Sequence, residues 1–413
     1  MKLLYNTGIF TYRLLASALA PFNDKANKFT QGRSTIYTNI PSTWKDDHRK
    51  VAHFHAASLG EFEQARPVIE KFKVAFPAFK ILLTFFSPSG YEVRKNYTEA
   101  DYVCYLPFDT ATQANKFVEV FNPTISFFVK YEFWYHISKA LHKNNTHLVS
   151  FSSIFRPNQS FFKWYGKDTR ETLELFNYFF VQNDISNALL HSINIERAVV
   201  TGDTRFDRVQ DLCKYPKELP EIKKFVNNFP CFVIGSSWKE DLEIIAPYLN
   251  NFTQPLKIII APHNISEKDL REIEICFSKK SVRYSKLAAT SNEDILLLDN
   301  MGMLSSVYQF ATFCYIGGGF KTGLHNTLEA ATYGKPLIIG PHYKKFDEVI
   351  NLIAMQVCFS VATTEYFGNY FDSLYSDKKL RNEISNKLEE FIKQNLGASE
   401  AVVSYCQQLA LLN

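Results

Sequence analysis

Short apolar runs alternate with helical stretches along almost the whole chain, and this alternation is the strongest constraint on its fold. "VAHFHAA" (51–57) precedes the helical pattern "GEFEQARPVIEKFKVAF", and "KILLTFF" (80–86) precedes "SGYEVRKNY". "YVCYLPFD" (102–109) precedes "TATQANKFVEVF", and "TISFFVK" (124–130) precedes "FWYHISKALHKN". "THLVSFSS" (146–153), "YFFVQN" (178–183) and "AVVTGD" (198–203) continue the series. Strands that alternate with helices pair in parallel, because each helix returns the chain to the same end of the sheet. The series breaks at "CKYPKELPEIKKF" (213–225), which is charged and carries two prolines. It resumes with "CFVIGSS" (231–237), "KIIIAPH" (257–263), "DILLLD" (294–299), "FCYIGGG" (313–319) and "KPLIIGP" (335–341). From about Ser376 only helices are expected. The expectation is an α/β chain of two open parallel-sheet domains with a cleft between them. Ligands of such sheets bind at the carboxyl ends of the strands.

A length of 413 residues suits two cores of this kind. A net charge of +4 gives no basic footprint for nucleic acid, and none is expected as a partner. Cys104, Cys213, Cys231, Cys276, Cys314, Cys358 and Cys406 form no Cys-x-x-Cys pair. They read as reduced thiols of the cytoplasm, with no zinc site.

The apolar stretch "LLYNTGIFTYRLLASALAPF" (3–22) lacks the charged start and cleavage site of a signal peptide. Arg13 would cost about 2.5–3.5 kcal/mol in mid-bilayer, which argues against a full span. Two readings stay open. One is a helix on the membrane face, helped by Lys25, Lys28 and Arg33. The other is an amphipathic helix packed on its own domain.

"YIGGGFKTGLHNTLEAATYGKPLIIGP" (315–341) reads as strand, glycine loop, helix and strand. With the helix starting near His325 and Asn326, Asn326 and Glu329 share a face. A carboxylate there can accept from a ribose diol, while free N–H groups at the helix start hold a phosphate without a metal. No Gly-Lys-Ser/Thr follows, so this is not a Walker A loop, and Gly317 and Gly319 supply only the first two positions of a dinucleotide fingerprint. The alternative is a tight turn whose glycines serve packing alone.

The segment "GGGFKTGLHNTLEAATYGKPLIIGPH" resembles the donor-site signature of bacterial 3-deoxy-D-manno-octulosonic acid (Kdo) transferases. The likeness continues through "HFHAASLGE" (53–61), "LLTFFSPSGYE" (82–92), "YLPFD" (105–109), "KYEFW" (130–134), "VTGDTRFD" (200–207), "GSSW" (235–238) and "DNMGML" (299–304). The resemblance implies a GT-B fold: two Rossmann-like domains facing across a cleft, with an N-terminal membrane-associated helix and C-terminal helices. On that basis residues 1–33 are a membrane-associated helix and linker, 34–212 an acceptor-binding domain and 213–413 a donor-binding domain with the terminal helices. It implies an inverting enzyme, without cofactor or metal, that moves Kdo from CMP-Kdo to the lipid A precursor lipid IVA in lipopolysaccharide synthesis. The enzyme would sit at the cytoplasmic face of the inner membrane, peripheral or held by its N-terminus.

Inversion needs a base for the acceptor hydroxyl, worth typically about 10²–10⁴-fold. The resemblance makes Glu61 that base, projecting from a helix start after the tight Ser58-Leu59-Gly60 turn, with Ser58 and Gly60 on the acceptor side. The bland alternative for Glu61 is a first-turn acid that complements the helix dipole, capped by Ser58. Glu132 becomes a supporting carboxylate; otherwise it is an exposed acid paired with Lys130. The donor contacts implied are Pro262, His263, Met301, Gly302, Met303, Gly318, Gly319, Asn326, Thr327, Leu328 and Glu329, with Gly318 and Gly319 giving room. His55 is read as structural. Arg156, Lys163 and Lys167, mixed with Phe161, Phe162 and Trp164, suit a lipid headgroup boundary or a solvated loop.

Four positions depart from the family pattern. His263 stands where an arginine is usual, Met303 where an acid is usual, Lys130 where the first Glu of a Glu-Thr-Glu run is usual, and Trp238 in place of a Thr-His. Competing readings are a GT-B enzyme of another nucleotide-sugar, such as a UDP-N-acetylhexosamine transferase or epimerase, and a catalytically idle scaffold.

Overall fold

The computed structural model describes residues 2–288, 291–321 and 323–409. The chain divides into two compact units, Met1–Arg208 with Asn395–Asn413, and Val209–Gln394.

The first unit is built on seven strands: β1 (Lys50–Ala56), β2 (Phe79–Phe85), β3 (Tyr102–Tyr105), β4 (Pro123–Val129), β5 (His147–Ser153), β6 (Tyr178–Val181) and β7 (Ala198–Val200). Their order is β3-β2-β1-β4-β5-β6-β7, and every pair is parallel. β2 is buried at every residue, as expected for a parallel strand covered on both faces. Side chains alternate across the sheet, so the neighbours Phe127 and Phe128 fall into different cores. Phe54 and Phe127 stack at 4.5 Å between ring centroids on one face. His53, Phe117 and Phe128 meet on the other.

Two segments join this unit against the sequence expectation. Residues 2–33, given a range of their own, pack here, as the reading of a helix on its own domain has it: Tyr5 donates to Asp109, and His136 Nε2 pairs with Asn6 Oδ1 at 2.6 Å. Arg33 is buried within four aromatic rings, its centre 3.8 Å from that of Phe29 and 4.8 Å from that of Phe86. It donates to the Phe29 carbonyl at 2.9 Å and the Phe86 carbonyl at 2.8 Å, and burial lowers its pKa to about 9. The last helix, Ala398–Gln407, was assigned with 213–413, yet Val402, Val403 and Cys406 enter the first unit's core. Buried Asp207 accepts from the Gly397 and Ser399 N–H groups, both at 2.7 Å, and pins its start.

The second unit has seven parallel strands: β8 (Cys231–Ser237), β9 (Lys257–Pro262), β10 (Ser281–Arg283), β11 (Ile295–Leu297), β12 (Phe313–Ile316), β13 (Leu337–Ile339) and β14 (Cys358–Ser360). Their order is β10-β11-β9-β8-β12-β13-β14. β10 and β14 were not expected; each is an edge strand of three residues with half-exposed positions. No described helix is long and apolar enough to cross a membrane.

Replacing Asp207 by Ala orphans the buried Ser399 N–H, at about 1–3 kcal/mol, and leaves the exposed Gly397 N–H to water. Amides of helix Ala398–Gln407 should then exchange with solvent at least tenfold faster by hydrogen-exchange mass spectrometry, with β1 and β4 unchanged. Equal rates in variant and wild type would mean that other contacts hold the helix.

Candidate active site

In each sheet the strand order reverses beside the first strand, between β1 and β4 and between β8 and β12. At such a point the neighbouring crossovers run to opposite sides and leave a crevice beyond the strand ends. Both sets of candidate residues stand at these points.

In the first unit, β1 ends at Ala56 and helix Leu59–Ala75 begins with Ser58 at its N-cap. The Ser58 hydroxyl makes no capping bond. Instead Glu61 reaches back, its Oε2 accepting from the Ala57 N–H at 2.6 Å. The first-turn capping role is therefore real, but it occupies only part of the group's surroundings. Glu61 is 6% exposed, and its pKa rises to about 7. Burial is the main cause and the charge of Glu132 the second, against opposing pulls from Lys130 and the Ala57 and Ser58 N–H groups. Gly60 is exposed, and a Cβ built on it meets nothing within 4 Å. Gly90 is the reverse case, since a Cβ there would lie 2.3 Å from the Phe85 ring and 3.1 Å from the Ser58 backbone. The glycine of "SPSGYE" thus lets its helix close on the Ser58 turn.

Glu132 follows β4 after Lys130, which takes a left-handed φ of 61°. Glu132 Oε2 accepts from Trp134 Nε1 at 2.9 Å and lies 3.5 Å from His55 Nε2. The expected exposed acid is in fact half-buried among aromatic and imidazole rings. Trp134 stacks on Phe86 at 4.7 Å. Arg156 is exposed and Lys163 half-buried on the loop after β5, where Trp164 is 92% exposed. Arg170 fixes this loop by donating to the carbonyls of Phe161 at 2.6 Å and Lys163 at 2.7 Å.

In the second unit the glycine loop is held by a residue that sequence reasoning missed. Asp241, in the first turn after β8, accepts from Trp238 N–H at 2.8 Å, Gly318 N–H at 2.9 Å and Tyr315 Oη at 2.8 Å. Gly318 has a φ of +89°, and its added Cβ would sit 2.3 Å from the Gly323 carbonyl oxygen. At Gly319 the Cβ would lie 2.8 Å from Gly340 backbone atoms. The space beside both glycines is filled by the protein itself, which corrects the expectation that they leave room for a ligand. The helix behind the loop is also shorter than expected, spanning Leu328–Thr332 with Thr327 at its N-cap. Asn326 precedes it, its Nδ2 donating to Glu329 Oε1 at 3.2 Å and its Oδ1 accepting from Leu328 N–H at 3.1 Å. These two residues therefore do stand together. Leu328 is buried, and buried Thr327 Oγ1 has no hydrogen-bond partner. Thr322 of this loop lies outside the described residues.

Pro262 ends β9 and lines a pocket of about 550 Å³ with Ser237, Trp238 and Asn264. His263 stacks on Trp238 at 4.2 Å and lies 4.7 Å from the His325 ring. Trp238 Nε1 donates to His325 Nε2 at 3.1 Å, and burial lowers the His325 pKa to about 4. Met301 is exposed and Met303 buried; between them Gly302, at a φ of +84°, gives its carbonyl to Lys217 Nζ at 2.9 Å.

Residues 31–208 match the family described as "3-Deoxy-D-manno-octulosonic-acid transferase (kdotransferase)". A 3-deoxy-D-manno-octulosonic acid transferase of Rickettsia felis is 26% identical over 314 residues, covering 73% of this chain and 66% of that protein. One of Haemophilus influenzae is 23% identical over 368 residues, covering 84% of each. Residues 31–208 thus carry the Kdo transferase domain, and the curated relatives of that name extend the likeness over most of the chain.

The matched stretch contains Ser58, Gly60, Glu61 and Glu132. Among solved structures, the UDP-GlcNAc 2-epimerase of Neisseria meningitidis aligns with a TM-score of 0.62 at 15% identity, covering 87% of this chain and all of that one. At that identity the likeness is one of fold, the GT-B arrangement of two parallel sheets. Within the second unit, two departures from the family pattern prove to be one feature, because Trp238 and His263 form a single ring stack.

The raised Glu61 pKa has a thermodynamic sign. Between its ordinary 4.5 and about 7, the folded protein keeps a proton that the unfolded chain has lost. Stability therefore falls as pH rises through that window and stays lower above it, by about 3 kcal/mol for such a shift. Glu61→Gln removes the ionisation, so its stability relative to wild type should be higher at pH 8 than at pH 4.5, by at least 1 kcal/mol in urea unfolding. A gap that does not change with pH would place Glu61 in water.

Proposed function

We propose that this protein transfers Kdo from CMP-Kdo to lipid IVA, with inversion at the anomeric carbon and Glu61 as the base. The observation that carries the reading is a buried carboxyl group, pushed up to about pH 7, beside a second carboxylate at the strand-order reversal. A sugar hydroxyl is a poor nucleophile at neutral pH. A base with a pKa near the working pH takes its proton efficiently as the new glycosidic bond forms. The bond to CMP breaks in the same displacement, and the cytidylate phosphate leaves with the electron pair. Asn326 and Glu329 are assigned to the donor ribose and phosphate. No metal is assigned, and turnover in excess EDTA tests that part.

Glu61→Gln should lower turnover of CMP-Kdo and lipid IVA by about 10²–10⁴-fold while calorimetry shows unchanged CMP affinity. Wild-type turnover in that variant removes Glu61 from the base role. The fold neighbour from Neisseria meningitidis is described as bound to UDP-GlcNAc. Tighter binding of UDP than of CMP would therefore favour a different nucleotide-sugar.

We also assign the enzyme to the cytoplasmic face of the inner membrane through helix Lys2–Leu19. The helix turns Tyr5, Ile9 and Ala16 away from solvent while Leu4, Phe10, Leu14, Leu15 and Leu19 are exposed, and Phe22 just beyond is 88% exposed. Such a stripe, with Arg13 and Lys25 nearby, suits an anionic lipid surface. Burying one leucine side chain is worth about 1.5–3 kcal/mol. The double variant Leu14→Glu, Leu15→Glu should bind phosphatidylglycerol vesicles at least tenfold more weakly than wild type in sedimentation. Equal binding would move the contact elsewhere, with the Arg156–Lys167 loop as the next place to look.

A further inference from the structure

Four buried side chains behind Glu132 form a connected row. Ser126 Oγ lies 2.6 Å from His53 Nδ1, and His53 Nε2 lies 2.8 Å from Thr84 Oγ1. Thr84 Oγ1 lies 2.9 Å from His55 Nδ1, and His55 Nε2 faces Glu132 Oε2 at 3.5 Å. The strand register makes this row. His53 and His55 are two apart on β1 and so share a face, and parallel pairing sets His55 against Thr84 and His53 against Ser126. The four side chains are fully buried, so each polar atom must find its partner within the row.

With one N–H on each imidazole, the donors follow by elimination. A neutral imidazole has one N–H and one bare nitrogen, and a hydroxyl has one hydrogen. Burial drives the His53 pKa well below its usual value, so His53 is neutral. Suppose the Thr84 hydrogen pointed to His53 or to the Phe54 carbonyl. His55 Nδ1 would then have to donate to Thr84, and neutral His55 would turn a bare Nε2 lone pair toward the Glu132 carboxylate. Nε2 has no other partner in reach, so that arrangement strands a buried nitrogen against a like-signed oxygen. The opposite direction leaves no lone pair turned toward the carboxylate. Ser126 donates to His53, His53 Nε2–H to Thr84, Thr84 to His55 Nδ1, and His55 Nε2–H points at Glu132.

We propose that His55 is a positioning residue for the carboxylate pair: a one-way hydrogen-bond row from Ser126 through His53 and Thr84 fixes its tautomer and aims its Nε2–H at Glu132. With Trp134 Nε1, this gives Glu132 Oε2 two N–H groups directed at one oxygen and holds the carboxylate where its charge acts on Glu61. At 3.5 Å the His55 contact is open, and it closes to a hydrogen bond with a movement of about half an ångström. Among the described residues, the other charged or titratable groups facing this pair are Lys130, Tyr131 and Tyr5. The role rests on the reading of Glu61 and Glu132 as the reacting pair.

Two measurements test it. Long-range ¹H–¹⁵N spectra of the full-length histidine-labelled protein should show His53 and His55 both neutral with Nε2–H. Thr84→Val should release that tautomer at His55, whereas Thr84→Ser should keep it. A His55 with Nδ1–H alone, or doubly protonated, overturns the row. In CMP-Kdo turnover, Thr84→Val should lower kcat at least fivefold with KM for each substrate within twofold, and Thr84→Ser should stay within twofold of wild type. His55→Gln, which keeps an N–H near Nε2, should retain at least ten times the kcat of His55→Ala. Wild-type kcat in Thr84→Val, or no rescue by glutamine, overturns the positioning role. Absence of Kdo transfer by the wild-type protein would instead defeat the function assigned above, and the spectra would still decide the row.

Discussion

A carboxyl group taken out of water next to a second carboxylate is the interaction on which the first unit depends. Burial alone would keep Glu61 protonated, and one N–H bond from Ala57 does not offset it. Holding the group there costs stability at neutral pH. The surrounding framework supports that cost: a sheet covered on both faces, an aromatic core, and a helix start at which Ser58 leaves the capping to Glu61. The ionised form of Glu61 is thus destabilised where it stands.

The second unit makes the opposite use of the same position. Asp241 stands third in the helix after β8, as Glu61 does in the helix after β1. Asp241 is also buried, and burial raises its pKa too. However, its two oxygens accept from three donors, so its capacity is spent on tying the Trp238 turn to the glycine loop. Gly317 shows how tight that tie is, since a Cβ would fall 2.3 Å from the Ser236 carbonyl oxygen. One location at the reversal of strand order thus holds a carboxyl of raised pKa in one sheet and a structural clamp in the other. The difference lies in the donors around each group and not in the residue type.

The strand series and its break were legible because parallel buried strands leave uninterrupted apolar runs. β10 and β14 were not, since strands of three residues leave no periodicity to read. The last helix was misplaced for a different reason. Val402, Val403 and Cys406 mark an apolar face, but nothing in the sequence says which core receives it. Glu61 and Glu132 in the first unit, and Asn326 and Glu329 in the second, were singled out through motifs. The glycines were found for the wrong reason, because only packing distances reveal that protein atoms fill the space beside them. Asp241 and the stack of Trp238 on His263 went unread, as their partners lie far along the chain.

Arg33 has no carboxylate among its recorded contacts; it is held by rings and by two backbone carbonyls. One of those carbonyls belongs to Phe86, whose ring backs Trp134, and Trp134 in turn donates to Glu132. The N-terminal segment is therefore part of the wall behind the second carboxylate rather than a detachable tether. A chain trimmed to its sheets would lose the keystone of that wall, and fusion or truncation at this end reaches the chemistry through three side chains.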